Sequence, residues 1–399
     1  MSKILKICFA GLLNEKNLGD IVIIETAMRV YKDRLRLFHV DSCCVAEKLN
    51  LQASLEEKTY LSRAFCKIER RIYRYIRQGR FVQFHKFFLY VISHAFDYQL
   101  KGCHVAIVAG GGLVHYKYLD CGIRLAAFIL ACKRKRIQVI INSVGIEGFD
   151  KNNSICRLLR YAMNSSAVKM ISTRDDGDTL RNKYLIGNNA FRGVVPCVAI
   201  FSRLLSKYRQ GKNKIGIGLM RPGPFADFGA ATFREKMVKF YVDIANLLSG
   251  REMPYEFFTN GLVDDIKLVQ EIESQLGHEI KVVQPKTAEE LVETIDGYRA
   301  IISFRMHSLI IAYSCGVLAY GIAWHSKVKK WFGLVEQLDF CCDITEMNAD
   351  TATEMILNNI DDNEFYFRRR SDMEASVLDY IDAAIKNCIL DNVVDEEVN

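Results

Sequence analysis

Residues 300–314 read Ala-Ile-Ile-Ser-Phe-Arg-Met-His-Ser-Leu-Ile-Ile-Ala-Tyr-Ser, a short apolar run, a turn and a longer apolar run. The first run, Ala300–Ser303, has the length and composition of a buried strand, and Met306–Ser314 has the length of a helix. A strand that leads through a tight turn into a helix is half of a β–α–β unit. The stretch therefore predicts a parallel sheet covered by helices.

The same alternation of strand-like and helix-like runs continues through the rest of the chain. In the first half we predict strands at Ile4–Ala10, Leu35–His39, His104–Ala109, Gln138–Ser143, Lys169–Ser172 and Gly193–Val195, and helices at Ile21–Tyr31, Leu55–Gln99, Gly122–Lys133 and Ser154–Asn164. In the second half we predict strands at Lys214–Leu219, Tyr255–Thr259, Ile280–Val283, Ala300–Ser303 and Val317–Ala323, and helices at Phe233–Leu248, Asp264–Leu276, Ala288–Ile295, Met306–Ser314, Val328–Leu334 and Met373–Cys388.

A polar segment at 206–213 separates the two series, and a chain of 399 residues is long enough for two domains. We predict an α/β protein with two Rossmann-like, doubly wound domains, 1–205 and 214–390, that face a cleft. An acidic tail, 391–399, follows the second domain. Because ligands of such sheets bind outside the carboxyl ends of the strands, the residues that follow each strand are the first candidates for a site.

Composition and charge place the chain among folded proteins and predict a cytoplasmic location. The thirteen cysteines form no C-x-x-C pair and several lie in apolar runs, which is typical of reduced core thiols. No apolar run is long enough for a transmembrane helix, and the N-terminal run is better interpreted as a strand than as a signal peptide. No cluster of histidines or carboxylates predicts a bound metal, and we expect no cofactor. The net charge of +7 does not by itself choose among anionic partners, and no nucleic-acid-binding fold is apparent.

Candidate residues of the second domain follow its strands. Arg305 and His307 lie after Ser303 at the start of a predicted helix, whose positive end attracts anions, and a histidine there can exchange a proton near neutral pH. Arg221 ends the first strand of this domain and suits a grip on phosphate or carboxylate. Lys327 follows the last strand as a further cation. The alternatives are a capping histidine, an arginine paired to a neighbouring acid, and surface-exposed Arg221 and Lys327.

Candidate residues of the first domain also follow strands. Asn17-Leu-Gly19-Asp20 leads into the first helix, and the glycines at Gly110, Gly111 and Gly112 suit either a backbone cradle for an anion or a tight turn. Arg174 lies between Thr173 and Asp175, where a local ion pair is at least as plausible as ligand contact.

The segment 63–96 interleaves arginines and lysines with aromatic and aliphatic side chains. At helical spacing this pattern suits an interfacial helix on an anionic membrane surface. The alternative is a long helix that packs its aromatic side chains into the first domain.

Taken in order, these motifs resemble the polysaccharide pyruvyltransferase family. The resemblance rests on Asn17–Asp20, Gly110–Gly112, Ser172–Asp175, Ser303–His307 with Gly316-Val, and Lys327-Val, and it runs from about residue 4 to about residue 335. It implies a GT-B-type architecture, phosphoenolpyruvate as the donor and a cyclic pyruvate ketal as the product. Carried onto this chain, Arg305 and Arg221 would hold the donor, and His307 would protonate its methylene carbon.

We therefore expect an enzyme of capsule or exopolysaccharide biosynthesis that acts on a hexose of a lipid-linked precursor. The basic aromatic segment 63–96 is the reason to expect it on the inner membrane face as a peripheral protein. Ser303 and Lys327 would also line the donor site. The residues that would bind the acceptor are Asn17, Gly19, Asp20, Gly110–Gly112 and Arg174. Two alternatives remain open from the sequence: a glycosyltransferase that uses a nucleotide sugar, and a non-catalytic protein that binds polysaccharide precursors.

Overall fold

The computed structural model describes residues 4–11, 17–35, 39–44, 85–116, 121–185, 187, 190–207, 213–221 and 233–390. These residues form two compact α/β units, each built on one parallel sheet of six strands. Unit 1 holds the described residues of Met1–Asn14, Ala27–Val198 and Ala375–Asn399, and unit 2 those of Glu15–Thr26 and Ala199–Glu374. The prediction of two Rossmann-like domains is thereby confirmed.

The sheet of unit 1 has the strand order β2-β1-β3-β4-β5-β6. Its strands are β1 Ile4–Ala10, β2 His39–Cys44, β3 Val105–Ala109, β4 Gln138–Val144, β5 Val168–Thr173 and β6 Phe191–Val194. The longer α-helices described in the first half are α1 Leu18–Arg34, α2 His85–Ser93, α3 Cys121–Arg134 and α4 Ser154–Met163. Every residue of β3 is buried, as expected for a parallel strand covered on both faces.

The sheet of unit 2 has the strand order β12-β11-β10-β7-β8-β9. Its strands are β7 Lys214–Gly218, β8 Tyr255–Phe258, β9 Val282–Val283, β10 Tyr298–Ser303, β11 Leu318–Ala323 and β12 Cys341–Asp343. The helices that follow in the chain are α5 Arg234–Gly250, α6 Val269–Leu276, α7 Ala288–Asp296, α8 Met306–Ser314, α9 Ser326–Leu334, α10 Ala349–Asn359 and α11 Arg370–Ala384. Among the residues that the structure describes, no helix has both the length and the apolar composition needed to cross a membrane.

Most predicted elements appear, and the exceptions have local causes. Leu35 does not begin a strand, because its N–H still donates to the carbonyl of Tyr31 at the end of α1, and the second strand begins only at His39. The predicted helix Asp264–Leu276 begins at Val269, after a 3₁₀ turn. Of the predicted helix Leu55–Gln99, residues 55–84 lie outside the described residues. Only the part that begins at α2 is described.

The division into units differs from the boundaries expected from the sequence in three places. Residues 17–26, placed in the first domain by prediction, belong to unit 2, so α1 begins in unit 2 and ends in unit 1. Residues 199–205, also predicted in the first domain, belong to unit 2 as well. The described residues from Ala375 onward, predicted in the second domain, belong to unit 1. The reason is packing of the last helix, whose Tyr380 hydroxyl donates to the Ile141 carbonyl at 2.7 Å while Asp382 pairs with Arg34.

Close packing of two neighbouring strands predicts that Gly216→Ala destabilises unit 2. A methyl group at Gly216 in β7 would lie 2.5 Å from Cδ2 of Tyr298, a ring that is buried and hydrogen-bonded to Glu256. We expect the free energy of unfolding to fall by about 1–3 kcal/mol in urea denaturation. Gly250→Ala is the matched control, since no heavy atom lies within 4 Å of its added methyl group, and it should not destabilise the protein. Equal stability of the two variants would contradict this packing.

Candidate active site

The strand order of unit 2 has its switch point between β7 and β10. From these two central strands the chain winds outward in opposite directions, to β8 and β9 on one side and to β11 and β12 on the other. Ligands of doubly wound sheets bind outside the carboxyl ends of the strands at such a point. Arg221 follows β7 and Arg305 follows β10, so both predicted donor-binding arginines lie at this position.

Arg305 lies at the N-terminus of α8 with its guanidinium held by a buried carboxylate. Its Nη2 pairs with Oδ1 of Asp265, and the two side chains are only 12% and 0% exposed. Arg305 is the N-cap residue of α8, its side chain makes no capping hydrogen bond, and its backbone is extended. A nearly buried arginine therefore stands beside the positive end of a helix, an arrangement that favours anions.

Asp265 joins the two arginines of the site. Its Oδ1 also accepts a hydrogen bond from the backbone N–H of Arg221 at 2.9 Å. The Arg221 side chain is half-exposed, and its Nη1 donates to Oδ2 of Asp264 at 2.7 Å. The acidic pair that follows β8 thus positions one arginine through its backbone and the other through its guanidinium. The alternative that Arg305 pairs with a neighbouring acid is correct, and that acid is Asp265.

Burial raises the pKa of the Asp265 carboxyl above its ordinary value of 3.8. The charge of Arg305 and the N–H of Arg221 act in the opposite direction and offset only part of this effect. A buried carboxylate with incomplete compensation costs free energy in the folded state.

Three polar atoms of this cluster are buried without a hydrogen-bond partner among the described residues. They are Nε of Arg305, Oδ2 of Asp265 and Nε of Arg221. Buried polar atoms in folded proteins are nearly always hydrogen-bonded. The two Nε atoms are donors, so a ligand with anionic oxygens is the group that would satisfy them.

His307 is held by the N-terminus of α1, which belongs to the same unit. Its Nε2 lies 3.7 Å from Oδ1 of Asp20, which places a negative charge beside the imidazole. A methyl group at Gly19 would lie 2.5 Å from Nδ1 of His307, so no larger residue fits there without moving the ring. Asn17 in turn donates from Nδ2 to Oδ2 of Asp20 at 2.5 Å. Three residues predicted to serve the acceptor thus position the histidine.

A buried polar contact fixes α1 against α8. Oγ of Ser308 donates to Oδ1 of Asn260 at 2.7 Å, and the Asn260 carbonyl accepts the backbone N–H of Leu18 at 3.0 Å. Asn260 follows β8, so the strand end, the first turn of α8 and the first turn of α1 are joined at one residue.

Ser303 and Lys327 have structural contacts at the same sheet edge. Oγ of the buried Ser303 accepts the backbone N–H of Arg305 at 3.1 Å and so shapes the turn into α8. Lys327 Nζ lies over the ring of Trp324, 5.0 Å from its centroid. Nε1 of that tryptophan donates to the carbonyl of Phe304, next to Arg305, at 2.8 Å.

The other predicted first-domain residues, Gly110–Gly112 and Arg174, lie at the carboxyl edge of the other sheet, in unit 1. Gly110 and Gly111 have φ angles of 52° and 72°, which favour glycine, and the Gly111 carbonyl accepts the N–H of Gly145 at 2.7 Å. Arg174 is 8% exposed, and its Nη1 donates to Sγ of Cys197 at 3.8 Å. The three glycines form a tight turn beside a buried arginine.

A histidine–glutamate pair that the sequence did not single out lies beside this turn. Nε2 of His115 is 3.0 Å from Oε2 of Glu147, and both side chains are largely buried. A methyl group at Gly112 would lie 3.3 Å from Oε1 of Glu147, so the glycine admits the carboxylate close to the backbone.

Three further residues of the site, Asn260, Asp264 and Asp265, were not predicted from the sequence. They follow the predicted strand Tyr255–Thr259, which is the neighbour of β7 in the sheet. The other candidate residues were chosen because they follow a predicted strand, and these three residues meet the same condition. Among the described residues, no group of three or more histidine, cysteine, aspartate or glutamate side chains could hold a metal ion.

The raised pKa of Asp265 predicts a pH dependence of stability. Between pH 3.8 and the raised value the folded protein retains a proton that the unfolded chain has released, so the free energy of unfolding falls as pH rises. Asp265→Asn cannot titrate at this position. We expect the stability of the wild type relative to Asp265→Asn to decrease from about pH 4 upward and to level off above the raised pKa, measured by urea denaturation. A relative stability that rises with pH in this range would show that the pKa of Asp265 is lowered instead.

Comparison with known proteins adds to this geometry. One similar solved structure is S. aureus MnaA with UDP, with a TM-score of 0.52 and 12% identity over 92% of this chain and 90% of that chain. A UDP-GlcNAc 2-epimerase from Neisseria meningitidis bound to UDP-GlcNAc has a TM-score of 0.54 and 11% identity over 96% of this chain and 100% of that chain. An α,α-trehalose 6-phosphate synthase from Burkholderia multivorans has a TM-score of 0.51 and 8% identity over 100% of this chain and 98% of that chain. At these identities the likeness shows the fold alone, which is the predicted GT-B type with two Rossmann-like domains.

In sequence, a search of curated proteins found no match. The sequence model of one family, polysaccharide pyruvyl transferase, matches residues 17–326. The match covers well over half of the chain, begins at Asn17 and ends one residue before Lys327. The chain therefore belongs to the polysaccharide pyruvyl transferase family.

Proposed function

We propose that the protein transfers a pyruvyl group from phosphoenolpyruvate to a hexose of a capsule or exopolysaccharide precursor, forming a cyclic ketal and releasing phosphate. The observation that carries the proposal is Arg305, which is nearly buried at the switch point and at the N-terminus of α8, with its Nε unpartnered among the described residues. Family membership supports a transferase. Phosphoenolpyruvate offers the two anionic groups, a phosphate and a carboxylate, that such a site attracts.

In this proposal the arginines bind and orient the donor. Asp265 holds Nη2 of Arg305, so the guanidinium keeps one orientation and offers its Nε to an oxygen of the donor. Arg221, whose half-exposed side chain follows β7, binds the donor's second anionic group. Lys327 adds positive charge at the neighbouring strand. Fixed donors of this kind stabilise charge on a departing phosphate without reorganisation during the reaction.

His307 supplies the proton. Its imidazolium protonates C3 of phosphoenolpyruvate, which converts the methylene to a methyl group and leaves a cation at C2. A sugar hydroxyl attacks C2 and loses its proton, the bond between C2 and the phosphate oxygen breaks, and a second hydroxyl closes the ketal with loss of its own proton. The phosphate leaves with one of the two protons, and the other restores the imidazolium. A histidine is suited to this exchange near neutral pH.

The acceptor side of the proposal rests on unit 1. The glycine turn Gly110–Gly112 and the buried Arg174 are the residues we assign to the acceptor, and a lipid-linked precursor is the form of acceptor that we propose. Gly19 and Asp20 receive a different role, because they lie against His307 and keep its ring in place.

Donor binding is the first test. Phosphoenolpyruvate should raise the melting temperature of the protein, because it binds the folded state alone, and Arg305→Met should weaken binding by at least about tenfold. Since this change leaves Asp265 buried without its guanidinium, the double variant Arg305→Met/Asp265→Asn accompanies it. Arg299→Met is the matched control, because Arg299 forms an ion pair with Asp361 at the surface of the same unit.

The outcomes of the donor test separate the candidate functions. Stabilisation by UDP or another nucleoside diphosphate and none by phosphoenolpyruvate would overturn the proposal in favour of a glycosyltransferase. Equal loss of donor affinity in Arg299→Met would show that general charge, and not the Arg305 site, binds the donor.

The role of His307 predicts a separation of binding from turnover. His307→Gln should retain most of the affinity for phosphoenolpyruvate but lower kcat for phosphate release by about 10²–10⁴-fold, since the proton donor is lost. Gly19→Ala should lower kcat in the same direction, because its methyl group displaces the ring.

For both variants, kcat is measured as the rate of phosphate release in the presence of the cell's own precursor fraction. Gly250→Ala is the control for replacement of a glycine. Full activity of His307→Gln would exclude this residue as the acid. Loss of activity that follows only loss of donor affinity would assign it to binding instead.

A further inference from the structure

A cluster of four cations lines a cavity of about 470 Å³ in unit 1, among α2, α3 and α4. We call it the basic pocket; its cations are Lys86, Lys133, Arg157 and Arg160, and Tyr161 and Ser165 also line it. No aspartate or glutamate is among its lining residues. The pocket is built from helices that cover the sheet and uses none of the residues assigned above to donor or acceptor.

The positive charge of the basic pocket is not neutralised by the described residues around it. None of its four cations forms an ion pair with a described carboxylate. The neighbouring cations behave differently, since Nη2 of Arg134 lies 2.6 Å from Oδ1 of Asp97 and Nζ of Lys135 lies 3.7 Å from the same atom. Like charges held close together without counter-ions raise the local potential and attract an anion.

A buried hydroxyl points to a ligand in the same cavity. Ser165 is 8% exposed, and its Oγ is buried without a hydrogen-bond partner among the described residues. A hydroxyl in such a place is normally satisfied by a partner. A phosphate oxygen held by the surrounding cations would supply it.

Aromatic side chains on the solvent side of α2 distinguish a membrane surface from a free anion. Phe87 and Tyr90 are 60% and 50% exposed, while Leu89 and Ile92 on the opposite side of the helix are buried. Tyr161, at the pocket itself, is 40% exposed and lies under Lys86, whose Nζ is 4.5 Å from the ring centroid. Cations interleaved with exposed aromatic rings are typical of helices that lie at the boundary between headgroups and acyl chains.

We propose that the basic pocket and the aromatic face of α2 dock the protein on the phosphate headgroups of an anionic lipid surface. A free phosphate would use the cations but would leave the exposed rings without a role. The proposal is independent of the donor chemistry, because none of these residues belongs to the unit 2 site. Lys86, Phe87 and Tyr90 belong to the segment 63–96, for which the sequence predicts an interfacial helix, and residues 63–84 of that segment lie outside the described residues.

Vesicle binding by the full-length protein tests the proposal. We expect binding to vesicles of phosphatidylglycerol and phosphatidylcholine, weakening with added salt, and little binding to phosphatidylcholine alone. Arg157→Glu/Arg160→Glu should lower the affinity by at least about tenfold. Lys236→Glu/Lys286→Glu, the same change of charge at exposed positions of unit 2, should leave the affinity close to that of the wild type.

Two further experiments distinguish lipid headgroups from free inorganic phosphate as the ligand. Phe87→Ser/Tyr90→Ser should weaken vesicle binding, and inorganic phosphate should compete no better than chloride at equal ionic strength. Melting temperatures near that of the wild type exclude unfolding of the variants as the cause. Wild-type affinity of the arginine variant, equal loss in the unit 2 control, or unchanged affinity of the aromatic variant would each overturn the proposal. Selective competition by inorganic phosphate would reassign the pocket to a free phosphate.

Discussion

The site of unit 2 depends on one buried carboxylate, that of Asp265. It accepts the backbone N–H that follows β7 and holds the guanidinium that follows β10, so two chain segments from neighbouring strands converge on a single side chain. The charge is expensive to bury and its second oxygen has no hydrogen-bond partner among the described residues. The buried Asp265 lowers the stability of the folded protein, and in return it fixes the orientation of the Arg305 guanidinium.

A second constraint fixes the histidine. Gly19 leaves space for the ring of His307, Asp20 lies beside its Nε2, and Asn260 ties the first turns of α1 and α8 together. The arginine is thus positioned from one side by the residues after β8, and the histidine from another by the start of α1. Two residues that lie two positions apart in sequence owe their positions to different elements, so the roles proposed for them in donor binding and proton transfer can be tested separately.

Features that depend on residues close together in the sequence could be predicted, and features that depend on residues far apart could not. The strand Ile4–Ala10 and the helix Met306–Ser314 have the bounds expected from the sequence, because long apolar runs bounded by turns carry their own signal. The candidate arginines and His307 were found by their places at strand ends. The role of Asp265 and the packing of Gly19 on His307 were not, since contacts between residues far apart in sequence leave no mark in a local pattern. The short strand Cys341–Asp343 was missed because three residues are too few to show a period.

The path of the chain between the units has a consequence for synthesis. The described chain belongs to unit 1 up to residue 11 and to unit 2 from residue 17, and it changes unit again at 26–27, 198–199 and 374–375. The last change brings the final helix back to unit 1. Its Tyr380 donates to the carbonyl of Ile141 inside the first sheet, and Asp382 pairs with Arg34. Residues 199–374, which belong to unit 2, are therefore synthesised between two parts of unit 1. The apolar surface of unit 1 that the final helix covers stays exposed until the chain has been synthesised beyond Ala375.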